Sequence, residues 1–176
     1  MNTENIIKLM KEADNDVEFA KQVSDQIVQE QIVELDALMR EIQDNIVNAP
    51  VVADSELEHY LLQLTNALYF LNTRCDNFGF YDDITKANAR LKYNQAYAEN
   101  QLAHAGDAKK PTQGDNQLYA EMNSVDETVL NIIYSRSVRI IKSKLDAASE
   151  MVRTLSKLLS VHMNNNNNGG VVRKFE

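Results

Sequence analysis

Apolar residues recur at steps of mostly three and four over the last third of the chain, from about Ser124 to Met163. This spacing places them on one side of a helix and predicts one long helix here. The apolar positions are Val129, Ile133, Ile140, Ile141, Leu145, Ala148, Val152, Leu155 and Leu159. Six basic residues lie among them, against only two acidic ones, Asp146 and Glu150. The basic residues are Arg136, Arg139, Lys142, Lys144, Arg153 and Lys157.

Two earlier segments carry heptad patterns, which are typical of helices that pack along their length. The first helix is expected from a cap at Asn15 or Asp16 to near Val47, and the second from a capping box at Ser55 and Glu58. Eight positions of these seams are predicted to join copies of the chain, although packing inside one chain would give the same pattern. They are Val28, Ile32, Leu35, Met39, Ile42, Leu61, Leu64 and Leu68.

Several breaks are predicted between these helices. Pro50 marks one, and Gly79, between aromatic residues, indicates a kink or tight turn at 77–83. A third helix would then run from Asp82 or Asp83 to about His104. After a loop at 105–115 and a short helical piece at 116–122, a second capping box opens the basic helix. This capping box consists of Ser124 and Glu127.

The composition favours an all-α protein, because only two Pro and five Gly occur in 176 residues. We predict three or four long helices in an elongated helical hairpin or bundle with coiled-coil character that forms oligomers. A single helical domain would cover 1–163, with an acidic extension at 1–54 and a core at 55–163. The Asn/Gly-rich run at 164–170 is predicted to be a flexible spacer, followed by a tail at 171–176 that either docks or is disordered.

Charge is distributed unevenly along the chain, whose formal net charge is −8. Residues 1–60 contain 4 Lys/Arg and 14 Asp/Glu, whereas residues 133–176 contain 8 and 3. This asymmetry predicts either a basic surface for a polyanion or pairing of the basic helix with acidic helices.

No enzymatic motif is recognisable in the sequence, so we predict a protein without catalytic residues, metal, cofactor or small-molecule substrate. The single cysteine, Cys75, excludes an internal disulfide and is expected in the core. His59, His104 and His162 are far apart and lack metal-ligand spacing. No secretory signal or membrane-spanning run is recognisable, which predicts a cytoplasmic protein.

Four further residues are candidates for contact with nucleic acid. Lys109 and Lys110 lie in the loop and could contact phosphate, although a solvated turn would look the same. Tyr93 and Tyr97 could stack on bases, although tyrosines at helical spacing also pack between helices.

Four segments of the chain form a recognisable series. They are Leu91-Lys92-Tyr93-Asn94-Gln95-Ala96-Tyr97, the Gly-containing turn Ala105-Gly106-Asp107-Ala108-Lys109-Lys110, the acidic start Val125-Asp126-Glu127 and the ending Arg173-Lys174-Phe175. Together they resemble the UvsY family of phage recombination mediators. The resemblance implies a small, helical, oligomeric protein that binds single-stranded DNA and helps load a recombinase onto strands coated by single-strand-binding protein.

The leading hypothesis is therefore a non-enzymatic accessory factor of phage recombination, acting in the host cytoplasm. Its basic helix would bind the DNA backbone, and its partners would be further copies of itself, a recombinase and a single-strand-binding protein. The alternative is a structural or assembly protein, such as a virion component, scaffold or adaptor, that self-associates through heptad helices.

Overall fold

The computed structural model describes residues 16–47 and 52–172, and its regular elements there are all α-helices. They are α1 (Asp16–Val47), α2 (Asp54–Ala103), α3 (Gln113–Asn123) and α4 (Val125–Val172). The all-α prediction is confirmed. Asn15, Pro50 and the ending Arg173-Lys174-Phe175, on which parts of the sequence analysis rest, lie outside the described residues.

Helix α2 is continuous through the segment where the sequence indicated a kink. Gly79 does not adopt a positive φ, and a Cβ placed on it would meet nothing within 4 Å. A helical glycine costs about 1 kcal/mol relative to alanine. Packing of neighbouring residues, including the Phe78 ring against Tyr134 (centroids 6.3 Å apart), offsets that cost. The prediction of two helices separated at 77–83 is therefore wrong.

The residues that cap α3 and α4 differ from those that were predicted. Thr112 and Asp115 form the capping box that begins α3, with the Asp115 N–H donating to Thr112 Oγ1 (3.2 Å) and the Thr112 N–H donating to Asp115 Oδ2 (2.8 Å). Ser124, whose side chain was expected to cap α4, is the C-cap residue that follows the last residue of α3, and its hydroxyl donates to the Ala120 carbonyl (2.8 Å).

Helix α4 also continues beyond Met163, where the sequence indicated a spacer, and ends at Val172. Asparagine disfavours a helix by only a fraction of a kcal/mol per residue, so an established helix can propagate through such a run.

The chain divides into two compact units, and each helix other than α3 contributes to both. Of the described residues, unit 1 contains 16–28 and 76–140, and unit 2 contains 29–47, 52–75 and 141–172. In unit 1, α1 and α4 form an apolar cluster from residues spaced three and four apart, as amphipathic helices require. Its buried members are Ala20, Val23, Ile27, Val129, Ile133 and Tyr134.

Polar side chains connect the helices of unit 1 beside this cluster. Ser24 of α1 and Ser137 of α4 are completely buried, with their hydroxyl oxygens 3.1 Å apart. Where α4 faces α2, the Asn131 amide donates to the carbonyl (3.3 Å) and carboxylate (3.2 Å) of Asp82 and to Thr85 Oγ1 (3.3 Å). The Ser135 hydroxyl also hydrogen-bonds to Asp82.

Unit 2 has its own aliphatic core. Its most deeply buried residues come from α1, α2 and α4: Ile32, Leu35, Ile42, Leu57, Leu64, Leu71, Cys75, Ile141, Ala148 and Leu155. Cys75 is 1% exposed, which confirms its predicted place in the core.

Packing within one copy already buries most of the eight residues that were predicted to join copies of the chain. Val28, Ile32, Leu35, Ile42 and Leu64 are buried within one copy, and the other three, Met39, Leu61 and Leu68, are half-buried. The seam that we expected between copies thus lies within a single copy, which was the alternative that the heptad pattern left open. An interface between copies would have to use residues other than the five that are buried.

Candidate polyanion-binding surface

Two of the six basic residues of α4 pair with acidic residues of α1. In unit 1, Arg136 donates to Asp25 Oδ1 at 2.7 Å. In unit 2, Lys144 Nζ contacts both carboxylate oxygens of Asp36, at 2.9 and 3.1 Å. The alternative in which the basic helix pairs with acidic helices is therefore confirmed at these two positions, inside one chain. Asp25 and Asp36 were not identified from the sequence, because spacing along α4 does not reveal which side faces α1.

The other cations of α4 are exposed. In unit 2, Lys142, Arg153 and Lys157 lie within about 60° of one another around the helix axis, as 100° per residue requires. We call these three residues the outer cations. Arg153 pairs with Glu150 one turn earlier (3.0 Å), but both side chains are more than 60% exposed, so the pair contributes little to stability. Within the part of the chain that the structure describes, Lys142 and Lys157 form no ion pair.

Unit 1 adds one exposed cation on α4, Arg139, which also has no ion-pair partner among the described residues. The helix positions and exposure of these residues follow from the register of the apolar stripe. That stripe contacts the other helices, so a residue about 180° from it must face solvent.

An open groove lies beside Lys142 in unit 2. It has a volume of about 390 Å³ and is lined by residues of α2 and α4, including Tyr69, Asn72, Lys142 and Asp146. Tyr69 is 70% exposed, and its ring makes an edge contact with Phe70 (centroids 5.5 Å apart). An accessible aromatic ring near an ammonium group is what a single strand requires for stacking and phosphate contact. Tyr69 was not among the residues predicted from the sequence, because its exposure depends on where the neighbouring helices lie.

The aromatic pair selected from the sequence is less accessible. Tyr93 and Tyr97 of α2 are half-buried, and their rings stack on each other with centroids 6.5 Å apart. Since each ring already has a neighbour, neither offers a free face comparable to that of Tyr69.

The loop lysines lie in the segment between α2 and α3. Lys109 and Lys110 are both exposed. Lys110 lines a pocket of about 250 Å³ together with His104 and Pro111, and His104 Nδ1 lies 2.6 Å from Asp107 Oδ2. The two lysines belong to unit 1 and the outer cations to unit 2.

Among the described residues, no cluster of three His, Cys, Asp or Glu side chains could hold a metal ion. His162 contacts Asp54 (Nδ1 to Oδ1, 3.0 Å) and His59 is exposed. None of the helices, over its described residues, carries a stretch long and apolar enough to cross a membrane.

Comparison with known proteins returns no matching family model, no matching curated sequence and no matching solved structure. Function has to be argued from the residues themselves.

Proposed function

We propose that this protein is a non-enzymatic accessory factor that binds single-stranded DNA electrostatically, as the resemblance to phage recombination mediators implies. The observation that carries the proposal is the exposure of the outer cations, Lys142, Arg153 and Lys157, on one stripe of α4 in unit 2. Exposed Lys and Arg side chains bind DNA by neutralising its phosphates and releasing counterions.

The DNA backbone would lie against the outer cations, and a base could stack on Tyr69 in the adjacent groove. Base–aromatic stacking contributes about 1–3 kcal/mol per base and tolerates any sequence. Neither interaction reads base identity, so the proposal implies binding without strong sequence preference.

Negative charge limits the affinity of one copy. Asp146 and Glu150 lie on the same stripe as the outer cations, and the whole chain carries −8. A strand bound by one copy would therefore be held weakly. Several copies on one strand would bind more tightly, because each further contact is intramolecular and benefits from a high effective concentration. A recombinase and a single-strand-binding protein are the proposed protein partners in such an assembly.

The test is binding of a fluorescent oligothymidylate as a function of salt concentration. The Lys142→Gln/Lys157→Gln double variant should bind more weakly and should show a slope of log K against log salt that is shallower by about 1.4, since each lost phosphate contact on a single strand removes about 0.7. Arg40→Gln is the matched control, because Arg40 is an exposed cation of unit 2 on a different helix, α1.

Two results would contradict the proposal. One is a wild-type protein that retains no oligonucleotide at low salt. The other is a control variant that loses as much affinity as the double variant, since binding would then reflect the overall charge rather than the outer cations.

A second candidate function is assembly, as a scaffold, adaptor or virion component. It is favoured by exposed aromatic and aliphatic residues on α2, namely Leu62 (63%) and Phe70 (62%) in unit 2 and Phe80 (63%) in unit 1. Single exposed apolar residues are ordinary, but several on one helix indicate a surface for another protein. A stable oligomer without DNA retention would select this candidate.

A further inference from the structure

The part of α2 in unit 1 carries a stripe of apolar residues on the side opposite to the one that packs against the other helices. The side facing the other helices carries Thr85, Ala96 and Asn100, which are 5%, 3% and 9% exposed. The opposite side carries Phe80, Ile84, Ala87 and Leu91, at steps of four, three and four. These four residues, which we call the outer seam, follow a heptad pattern, although the described residues of the chain leave them exposed.

The outer seam is open to solvent. Phe80 is 63% exposed, Ile84 39% and Leu91 56%. An exposed heptad seam of this kind matches the surface that a second helix buries in a coiled coil. Asp83 and Arg90, both exposed, flank the seam on one side, at positions equivalent to g of a heptad.

The positions of Asp83 and Arg90 favour an antiparallel over a parallel pair of α2 helices. In an antiparallel pair of α2 helices from two copies, residues whose numbers sum to 171 lie in the same layer. Phe80 of one copy then contacts Leu91 of the other, and Ile84 contacts Ala87. Each layer pairs a larger residue with a smaller one. Asp83 of one copy then lies beside Arg90 of the other, twice, by the twofold symmetry. In a parallel pair the same charges would face the neutral residues Asn88 and Gln95.

The next layer of the antiparallel arrangement is polar. It brings Asn77 of one copy against Asn94 of the other, and both are exposed in the single chain. A polar layer at the ends of a short apolar seam defines its register, because slipping would place amides against Phe80 or Leu91. One groove of about 440 Å³ is lined by Asp83, Ala87, Arg90 and Leu91 together, so the apolar and charged groups form one continuous surface.

We propose that the outer seam of α2 is a docking surface for a second copy of this chain, in an antiparallel α2–α2 pair held by Phe80–Leu91 and Ile84–Ala87 layers and flanked by two Asp83–Arg90 ion pairs. The inference does not rest on the proposed function, since no nucleic acid takes part. It also replaces the α1 and α2 residues first expected at the interface, which are buried or half-buried within one copy.

The experiment is sedimentation equilibrium of the full chain and of charge-reversal variants over about 1–100 µM, the range of affinities expected for a modest interface. The wild type should be dimeric at the upper end. Asp83→Arg places two arginines opposite each other in both pairs, and Arg90→Asp does the same with two aspartates. Each single variant should dimerise at least about 10-fold more weakly, since like charges across an interface are unfavourable.

Mixing provides the decisive measurement. When the two single variants are combined in equal amounts, every arginine faces an aspartate, so a mixed dimer should form with about the affinity of the wild type. The double variant Asp83→Arg/Arg90→Asp should likewise recover. Lys92→Glu is the matched control, because Lys92 is exposed on α2 outside the seam and its flanks, and it should dimerise like the wild type.

The proposal is overturned if the wild-type chain remains a monomer at the highest concentration, whatever else then covers the seam. It is also overturned if the mixture does not recover association, or if the single variants associate as strongly as the wild type. Far-UV circular dichroism of each variant shows whether the helices are intact, which is expected because both charges are exposed.

Discussion

Replacing Ser137 with alanine should destabilise the fold more than replacing Ser24, although the two hydroxyls share one hydrogen bond. Their oxygens are 3.1 Å apart and both residues are 0% exposed. Ser137 Oγ also lies 2.8 Å from the Ile133 carbonyl oxygen, to which it donates its proton. Because a hydroxyl has a single proton, the proton between the two serines must come from Ser24.

The expected losses of stability follow from Ser24 being the donor of this hydrogen bond. Ser137→Ala leaves the Ser24 proton without its acceptor in a buried site, which costs about 1–3 kcal/mol. Ser24→Ala leaves Ser137 donating to Ile133 and removes only one ordinary hydrogen bond, which costs about 0.5–1.5 kcal/mol. The double variant leaves no hydroxyl without a hydrogen-bond partner, so its free energy of unfolding should be close to that of the wild type. The coupling energy should therefore equal the sum of the two single losses, about 1.5–4.5 kcal/mol, and the helix-propensity gain of alanine cancels in the cycle.

Urea unfolding followed by far-UV circular dichroism measures all four proteins. With a typical m-value of about 1–3 kcal/mol per molar urea, a change of 2 kcal/mol moves the midpoint by roughly 1 M. Ser143→Ala, at an exposed position of α4, is the control and should change the free energy of unfolding by less than about 0.5 kcal/mol. The reasoning fails if Ser24→Ala costs more than Ser137→Ala, or if the two losses simply add in the double variant.

Two further predictions concern helix geometry and pH. Gly79→Ala should raise the free energy of unfolding by about 0.5–1 kcal/mol, because the glycine is helical and the added methyl meets no atom; a loss of stability in the same urea assay would instead indicate the turn that the sequence suggested. Hydrogen bonds from the Thr112 backbone and hydroxyl lower the pKa of the Asp115 carboxyl below 3.8, so its contribution to α3 is present above that pH and is lost as the pH falls through the lowered pKa. Asp115→Asn should therefore flatten the decline in the free energy of unfolding that the wild type shows as the pH falls below 3.8, and equal slopes for the two proteins would exclude this role.

The periodicity of apolar residues was sufficient to predict the helices themselves. It placed the limits of α1 and the start of α2 within a residue or two, because amphipathic spacing and capping residues act locally. It failed at Gly79, where a glycine between aromatic residues resembles a turn. Whether a helix continues through such a point depends on packing partners distant in sequence, such as Tyr134 for Phe78.

The candidate site was predicted only in part, for a similar reason. The sequence identified the basic residues of α4 but could not separate Lys142, which is exposed, from Lys144, which pairs with Asp36. Residues two apart on a helix lie on nearly opposite sides of it, about 160° apart. Which of the two is exposed therefore depends on where the neighbouring helix lies. The heptad seams were ambiguous in the same way, since packing within and between chains requires the same spacing.

The cluster formed by Asn131, Asp82 and Thr85 sets the longitudinal alignment of α4 against α2 in unit 1. Aliphatic stripes alone would tolerate a shift of one heptad, about 10 Å along the axis, since similar side chains would meet again. Such a displacement would separate the Asn131 amide from all three of its acceptors, leaving polar groups stranded. Insertion of seven residues into α4 between Asn131 and Ser137 would preserve the amphipathic pattern, yet the Asn131 amide would move about 10 Å along the axis relative to Ser137. The number of residues between these two positions is therefore constrained as strictly as their composition.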